Sequence, residues 1–242
     1  MFNRFADCSS ANRRQDGVFR ESLTRSARTG LDDCRNRPNE GQRVTSSTNC
    51  KTKMIVGIAG GMCSGKDTVA GILRDDHSFL LVNSSDIVRR ELRSEGTEIS
   101  RANQRLLANE RRRSLGGDYW VRKAFEAASQ DGKSNRIAIV SLYSVSECRY
   151  IQRELAGSVI GVVTSDLTKR FERLLRRSDG SRDQLEFEEF LERDSVENSG
   201  QSDDDTNIGR VIALAQIIIH NDSDLQSLRR EVSSTLEFLG LS

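Results

Sequence analysis

The sequence predicts an α/β fold in which a parallel sheet is covered by helices on both faces. Two observations lead to this prediction. Short apolar runs alternate with longer stretches of helical periodicity, and the runs are rich in β-branched residues with few polar interruptions. Runs of this kind are typical of strands that lie between two layers of helices. The five predicted strands are Ile55–Ala59, Phe79–Val82, Ile137–Val140, Val159–Thr164 and Ile217–His220.

The stretches between and after these runs predict helices. Asp166 and Asp224 stand directly before two of them, in the N-cap position, where a carboxylate accepts hydrogen bonds from free backbone N–H groups. The predicted helices are Lys66–Asp75, Ser85–Ser94, Arg101–Leu115, Asp118–Gln130, Ser146–Ala156, Leu167–Arg176, Leu185–Glu197, Thr206–Leu214 and Leu225–Phe238.

The first 53 residues differ in composition from the rest of the chain. They show no periodicity, contain the only proline, and carry eleven Lys and Arg against six Asp and Glu. Because such a segment buries too little apolar surface to offset its ordering entropy, residues 1–53 are predicted to be a disordered basic N-terminal extension. Three roles remain open for it: an extension without structural function, an arm that contacts RNA, or a transit peptide. Its acidic residues argue against a transit peptide. Residues 54–242 are the predicted folded domain.

Composition argues against several classes of protein. The formal net charge is +1, and residues 54–242 are acidic, which makes non-specific binding of nucleic acid unfavourable. The five cysteines are scattered without C-x-x-C spacing, which argues against a disulfide framework and a zinc site. No apolar run approaches the roughly 18 residues that span a bilayer. We therefore expect a cytoplasmic monomer or homodimer without a membrane partner.

A glycine-rich motif after the first strand is the most informative part of the chain. Residues 54–70 read MIVGIAGGMCSGKDTVA and match G-x-x-x-x-G-K-[ST], except that Asp67 stands where Ser or Thr belongs. Glycines let backbone N–H groups surround a phosphate, and Lys66 supplies a mobile charge for the β- and γ-phosphates. The predicted nucleotide-binding residues are Gly60, Gly61, Met62, Cys63, Ser64, Gly65, Lys66, Asp67 and Thr68.

Asp67 has two interpretations. Its carboxylate can bind Mg²⁺ directly or through water, in place of the usual hydroxyl. Alternatively, it is an acidic residue that the helix dipole favours in the first turn. Thr68 follows it and is a candidate to cap the helix or to contact the α-phosphate.

Asp86 follows the second strand, at the edge where open α/β sheets bind ligands. From there it can accept a proton from an attacking hydroxyl or orient water on Mg²⁺. The alternative is that it only caps the next helix. Arg89 and Arg90, one turn further on, are candidates to bind a substrate phosphate, although exposed helical arginines are equally common.

Arginines are concentrated in the segment that follows the fourth strand. Their spacing places them along one helix face, ahead of a polar Ser-Asp-Gly-Ser loop. Phosphoryl transfer depends on positioning and on charge neutralisation, which suits arginines above a γ-phosphate; the alternative is a solvated helix face. These arginines are Arg170, Arg173, Arg176 and Arg177. Arg111–Arg113 also have two interpretations. They contribute to a substrate pocket, or they form a basic helix C-terminus that complements the helix dipole.

Residues 54–238 resemble the P-loop kinases that phosphorylate small nucleotides, and among them the dephospho-CoA kinase and deoxynucleoside monophosphate kinase-like branch. The Gly-Lys-Asp-Thr order also resembles that of phage-type deoxynucleotide kinases. The segments that carry the resemblance are GIAGGMCSGKDTVA, SSDIVRRELRSEGTEISRANQRLLANERR, RFERLLRRSDGSRDQLEFEEFLERD and IIIHNDSDLQSLRREV.

The resemblance implies a three-layer α/β/α P-loop kinase fold around a five-stranded parallel sheet, with a helical acceptor-binding region and a small mobile lid. It also implies ATP and Mg²⁺. In the implied site, Gly60–Thr68 form the ATP loop and Lys66 bridges the β- and γ-phosphates. Asp86 lies in the position of the acceptor and base, and the lid residues Arg173 and Arg177 neutralise charge.

The resemblance leaves the acceptor open. A nucleoside or deoxynucleoside monophosphate is favoured, because Ser85–Arg113 is closer to that branch, and dephospho-CoA is the alternative. Such kinases often place an acidic residue and an arginine after the third strand, where this chain reads Ser141-Leu142-Tyr143-Ser144. That departure and the basic extension keep a second alternative open, a catalytically weak nucleotide-binding regulatory or RNA-associated protein.

Overall fold

A sheet of five parallel strands forms the centre of the computed structural model, which describes residues 53–132, 134–176 and 186–241. The strand order is β2-β3-β1-β4-β5. The strands are β1 (Met54–Ala59), β2 (Leu80–Asn83), β3 (Arg136–Leu142), β4 (Ser158–Val163) and β5 (Ile217–His220). The predicted disordered extension, residues 1–53, lies outside the described residues except for Lys53.

Each predicted helix has a counterpart among the described residues, with ends that differ by a few positions. Asp166 and Asp224 cap two of them as predicted: Asp166 accepts from the backbone N of Thr168 at 2.8 Å, and Asp224 from that of Ser227 at 2.8 Å. The helices are α1 (Lys66–His77), α2 (Ser84–Ser94), α3 (Arg101–Leu115), α4 (Tyr119–Asp131), α5 (Val145–Arg153), α6 (Leu167–Leu175), α7 (Phe187–Glu197), α8 (Ile208–Ala213) and α9 (Leu225–Phe238).

Helices cover both faces of the sheet, as the nearly continuous apolar runs predict. Ile55 and Ala59 of β1 lie on the face that packs against α2, α4 and α5. Val56 and Ile58 lie on the opposite face, against α1 and α9. Because successive side chains of a strand point to opposite faces, β1 needs apolar residues throughout. The arrangement is the predicted three-layer α/β/α fold. No helix in the described part of the chain is long and apolar enough to cross a membrane.

The position of β1 in the sheet determines where a ligand can bind. The chain leaves β1 through α1 on one face and reaches β2 on one side, whereas β3 connects through α5 on the other face to β4. In open α/β sheets, connections that diverge in this way leave a crevice at the carboxyl ends of the strands. The loop that follows β1 lies at this crevice.

Candidate functional site

The loop between β1 and α1, together with the first residue of that helix, is named the phosphate loop below and comprises Gly60–Lys66. Its glycines are required by close approach and by backbone conformation. A Cβ atom on Gly60 would lie 2.5 Å from Ser64 Oγ, and one on Gly65 would lie 1.9 Å from Asn221 Nδ2. Gly65 also has a φ of +96°, which disfavours other residues. The tight turn predicted from the motif is therefore present.

Two features of the phosphate loop fit an anion. The N-cap of α1 is Gly65, which has no side chain to cap the first turn of the helix. The Ser64 hydroxyl is buried without a hydrogen-bond partner among the described residues. Uncapped N–H groups at a helix N-terminus bind anions, and an unpartnered buried hydroxyl is uncommon. Phosphate oxygens of a nucleotide would satisfy both.

Three successive carbonyl groups of the phosphate loop accept hydrogen bonds from side chains outside it. Because C=O and N–H of a trans peptide point in opposite directions, the N–H groups that follow these carbonyls point away from the side chains that hold them; of these, the Ser64 N–H donates to Gly61 O at 3.2 Å, within the loop. The bonds are Arg170 Nε to Met62 O (2.8 Å), Arg173 Nη1 to Cys63 O (3.5 Å), and Asn221 Nδ2 (2.9 Å) and Thr164 Oγ1 (3.0 Å) to Ser64 O. Thr164 and Asn221 were not predicted from the sequence.

Lys66 and Asp67 lie at the start of α1, as the motif predicts. Lys66 is buried, and its Nζ lies 3.6 Å from Asp67 Oδ2, while the Asp67 side chain is 51% exposed. No group of three or more His, Cys, Asp or Glu among the described residues is arranged to hold a metal ion. Mg²⁺ commonly takes one or two carboxylates together with phosphate oxygens and water, and an exposed Asp67 is compatible with that. Its role as metal ligand stays a prediction.

Glu197 is a further acidic residue near the phosphate loop that sequence reasoning missed. Burial raises the pKa of its carboxyl group, and the positive charges of Lys66 and Arg101 oppose the rise. The available sequence signal was helical spacing, because Phe190, Asp194 and Glu197 share one face of α7.

The inner face of α7 packs on the phosphate loop. Phe190 is fully buried in a cluster with Met62 and Cys63, and Asp194 forms an ion pair with Arg170. Since Arg170 also bonds the Met62 carbonyl, α6 and α7 together support the loop. The chain therefore places a partly buried ion pair against its candidate phosphate site.

The arginines predicted to share one face of α6 have different environments. Arg170 is buried, and Arg173 donates to Thr164 Oγ1 and to Asn221 O, both at 2.7 Å. Arg176 is exposed beside Glu172 at 3.5 Å. Arg177 lies outside the described residues. A role of Arg173 in neutralising charge in the transition state stays a prediction.

Asp86 lies in the first turn of α2, with an exposed carboxylate that forms an ion pair with Arg89. The alternative that Asp86 caps this helix is wrong. Asn83 is the N-cap, and its side-chain oxygen accepts from the backbone N of Ser85 at 3.0 Å. The structure thus leaves the Asp86 carboxylate without a capping role, and its function as a base stays a prediction.

The uncharged turn after β3 lies against a buried ion pair that the sequence did not predict. Glu147 accepts from the backbone N of Tyr143 at 2.7 Å and of Ser144 at 3.2 Å. Its other oxygen lies 2.8 Å from Arg112 Nη2, and both side chains are almost completely buried. The Ser144-x-x-Glu147 capping box was readable from the sequence, but the partner on α3 was not.

Comparisons with known proteins give relatives at the level of sequence and of fold. No family model matches the chain. A UPF0200 protein of Saccharolobus islandicus is 30% identical over 184 residues, which cover 74% of this chain and 89% of the relative. A UPF0200 protein of Methanothrix thermoacetophila is 27% identical over 186 residues, which cover 76% and 97%.

Solved structures with a similar fold include TT1252 from Thermus thermophilus. It is 21% identical with a TM-score of 0.54, and the match covers 78% of this chain and 99% of that one. A shikimate kinase from Bacteroides thetaiotaomicron has a TM-score of 0.48 at 14% identity, over 78% and 99% of the two chains. The similarity to TT1252 shows the fold and nothing about the reaction.

Proposed function

The chain belongs to the UPF0200 family, and we propose that it is an ATP-dependent phosphotransferase that acts on a small nucleotide-like acceptor. The family name states no activity, so the proposal depends on the site. The observation that carries it is the phosphate loop, in which the glycine-capped start of α1 and the Ser64 hydroxyl, which has no partner among the described residues, lie beside the buried Lys66. These groups are the donors that a nucleoside triphosphate needs.

In the proposed reaction, the phosphate loop holds the phosphates of ATP, and Lys66 neutralises charge that develops between the β- and γ-phosphates. Mg²⁺ bound at Asp67 would supply further neutralisation. The acceptor oxygen forms a bond to the γ-phosphorus as the bond to the β–γ bridging oxygen breaks. Asp86, whose exposed carboxylate pairs with Arg89, orients the acceptor and accepts its proton where the acceptor oxygen is a hydroxyl, whereas a monophosphate attacks through a phosphate oxygen that has no proton to give.

For the acceptor we propose a nucleoside or deoxynucleoside monophosphate, with dephospho-CoA as the alternative. The support is the resemblance of Ser85–Arg113, which the structure divides between α2 and α3. A second candidate function is a catalytically weak nucleotide-binding protein. It is favoured by the turn after β3, because Arg112, the arginine behind that turn, is already paired with Glu147.

The test is consumption of ATP by the purified full chain with Mg²⁺ against a panel of acceptors. The panel holds each ribo- and deoxynucleoside monophosphate, dephospho-CoA and a blank without acceptor. We expect turnover that one acceptor class stimulates. Tight binding of ATP without turnover on any acceptor would instead support the nucleotide-binding protein.

With a hydroxyl acceptor, replacing Asp86 by asparagine is expected to lower kcat by about 10²-fold, the lower end of general-base catalysis, with the affinity for ATP retained; with a monophosphate acceptor, which has no proton to remove, the loss should be smaller. The measurement is steady-state turnover with the acceptor from the panel, together with the dissociation constant of ATP. Asp76→Asn is the matched control, because Asp76 also forms an exposed ion pair, with Arg229, but lies at the far end of α1. An Asp86 variant as active as this control would exclude Asp86 as the base.

A further inference from the structure

Asn221 follows β5 and is hydrogen-bonded to the phosphate loop, to the end of β4 and to Arg173 of α6. We infer that Asn221 is a positioning residue for phosphate binding, acting through the Ser64 carbonyl; this inference rests on the proposed function. Its side-chain Nδ2 donates to Ser64 O at 2.9 Å, across 157 positions of sequence. It makes no contact with the reacting atoms that the proposal requires, and its effect is on the conformation of the phosphate loop.

The place of Asn221 is fixed by its own backbone. The residue is buried, and its N donates to Val163 O at 2.8 Å, which continues the register of β4 and β5. Its carbonyl accepts from Arg173 Nη2 at 2.7 Å and lies 3.1 Å from Thr164 Oγ1, whose single proton it shares with Ser64 O. Because the backbone of Asn221 is held in this way, the residue has little conformational freedom to lose when its side chain supports the loop.

The Asn221 amide determines the orientation of one peptide group. Together with the Thr164 hydroxyl, at 3.0 Å, it holds the Ser64 carbonyl outward, so the N–H of Gly65 in the same peptide points the opposite way. Without these two donors the carbonyl can rotate inward, where its oxygen would repel a phosphate oxygen.

Gly65 and Asn221 are complementary in shape. The Asn221 amide nitrogen lies 1.9 Å from the place where a Gly65 Cβ would be, so it fills the space that the missing side chain leaves. The positive φ of Gly65 keeps the peptide in an orientation that only glycine adopts readily. The amide and the glycine are therefore parts of one arrangement that presents the loop to an anion.

The experiment measures dissociation constants of ATP and of inorganic tripolyphosphate for the full chain and for Asn221→Ala, Thr164→Val and the double variant. Loss of one hydrogen bond that orients the loop is expected to weaken both ligands by about five- to tenfold. Since both donors act on the Ser64 carbonyl, the two single effects should not simply multiply in the double variant.

Two matched controls separate positioning from folding. Asn207→Ala removes an amide that also donates to backbone carbonyls, those of Asn198 and Gly200, and Thr235→Val changes a buried threonine of α9. Both controls should keep the affinity for tripolyphosphate, whatever they do to the melting temperature.

The outcomes distinguish the inference from the proposed function. Weaker ATP binding with unchanged tripolyphosphate binding would overturn the inference, because the effect would then come from outside the phosphate loop. Full affinity for both ligands in the Asn221 and Thr164 variants would overturn it as well. If the unmodified chain binds neither ligand, the proposed function fails and the inference fails with it.

Discussion

Replacing Lys66 by alanine is expected to lower kcat for phosphoryl transfer by about 10²-fold or more. The Lys66 side chain is only 11% exposed, so its charge acts where little water competes. A positive group held in such a place stabilises developing negative charge more than it would in water, and it needs no reorganisation during the reaction. The measurement is turnover at saturating ATP with the acceptor found in the panel.

Lys169→Ala is the matched control for this variant, because Lys169 is an exposed residue of α6. It should retain turnover. A thermal unfolding curve of the Lys66 variant is needed beside the kinetics, since Glu197 would lose a positive charge that lowers its pKa. A folded Lys66→Ala protein with full turnover would be incompatible with the proposed role of the loop in catalysis.

The second large effect is expected on stability, from Glu147→Gln. The substitution leaves Arg112 buried without a negative partner, and it replaces one of two carboxylate oxygens that accept from Arg112 and from the turn after β3. Removing one partner of a buried ion pair typically costs about 3–5 kcal/mol. We expect a decrease of this size in the free energy of unfolding, measured by urea denaturation with an unchanged m-value.

Two further variants show whether the buried charge causes this loss. Glu172→Gln removes an exposed carboxylate 3.5 Å from Arg176 and should cost less than about 1 kcal/mol. Arg112→Met combined with Glu147→Gln removes both charges, and a glutamine oxygen can still accept from the Tyr143 N–H. If the double variant is no more stable than Glu147→Gln alone, the unpaired charge is not the source of the loss.

Local sequence patterns were sufficient for the secondary structure. The strands on both sides of β1 appear as apolar runs because helices cover both faces of the sheet. Side chains on either face of such a strand are therefore apolar. Asp166 and Asp224 could be assigned as caps because an N-cap bonds N–H groups two or three residues away. At the start of α2 the sequence pattern suggests Asp86 as a possible cap, but the backbone enters the helix at Asn83, and Asn83 is the N-cap.

The candidate site was predictable only in its contiguous part. Gly60 and Lys66 lie within one motif, and the glycine spacing directly reflects how closely the backbone turns. Glu197 gave a weaker signal, since helical spacing shows which residues share a face but not what that face meets. Arg112 and Glu147 lie on separate helices, and although the capping box marks Glu147, nothing in the sequence shows that the two charges meet.

The sequence by itself determined the three-layer fold and the glycine loop with its lysine, because periodicity and turn geometry are set by neighbouring residues. Only the tertiary structure decided what holds that loop. Asn221 reaches Ser64 across 157 positions, and Arg170 reaches Met62 across 108. A single sequence carries no trace of such pairs, because the order of strands in the sheet brings these residues together and one residue's identity does not reveal its distant partner.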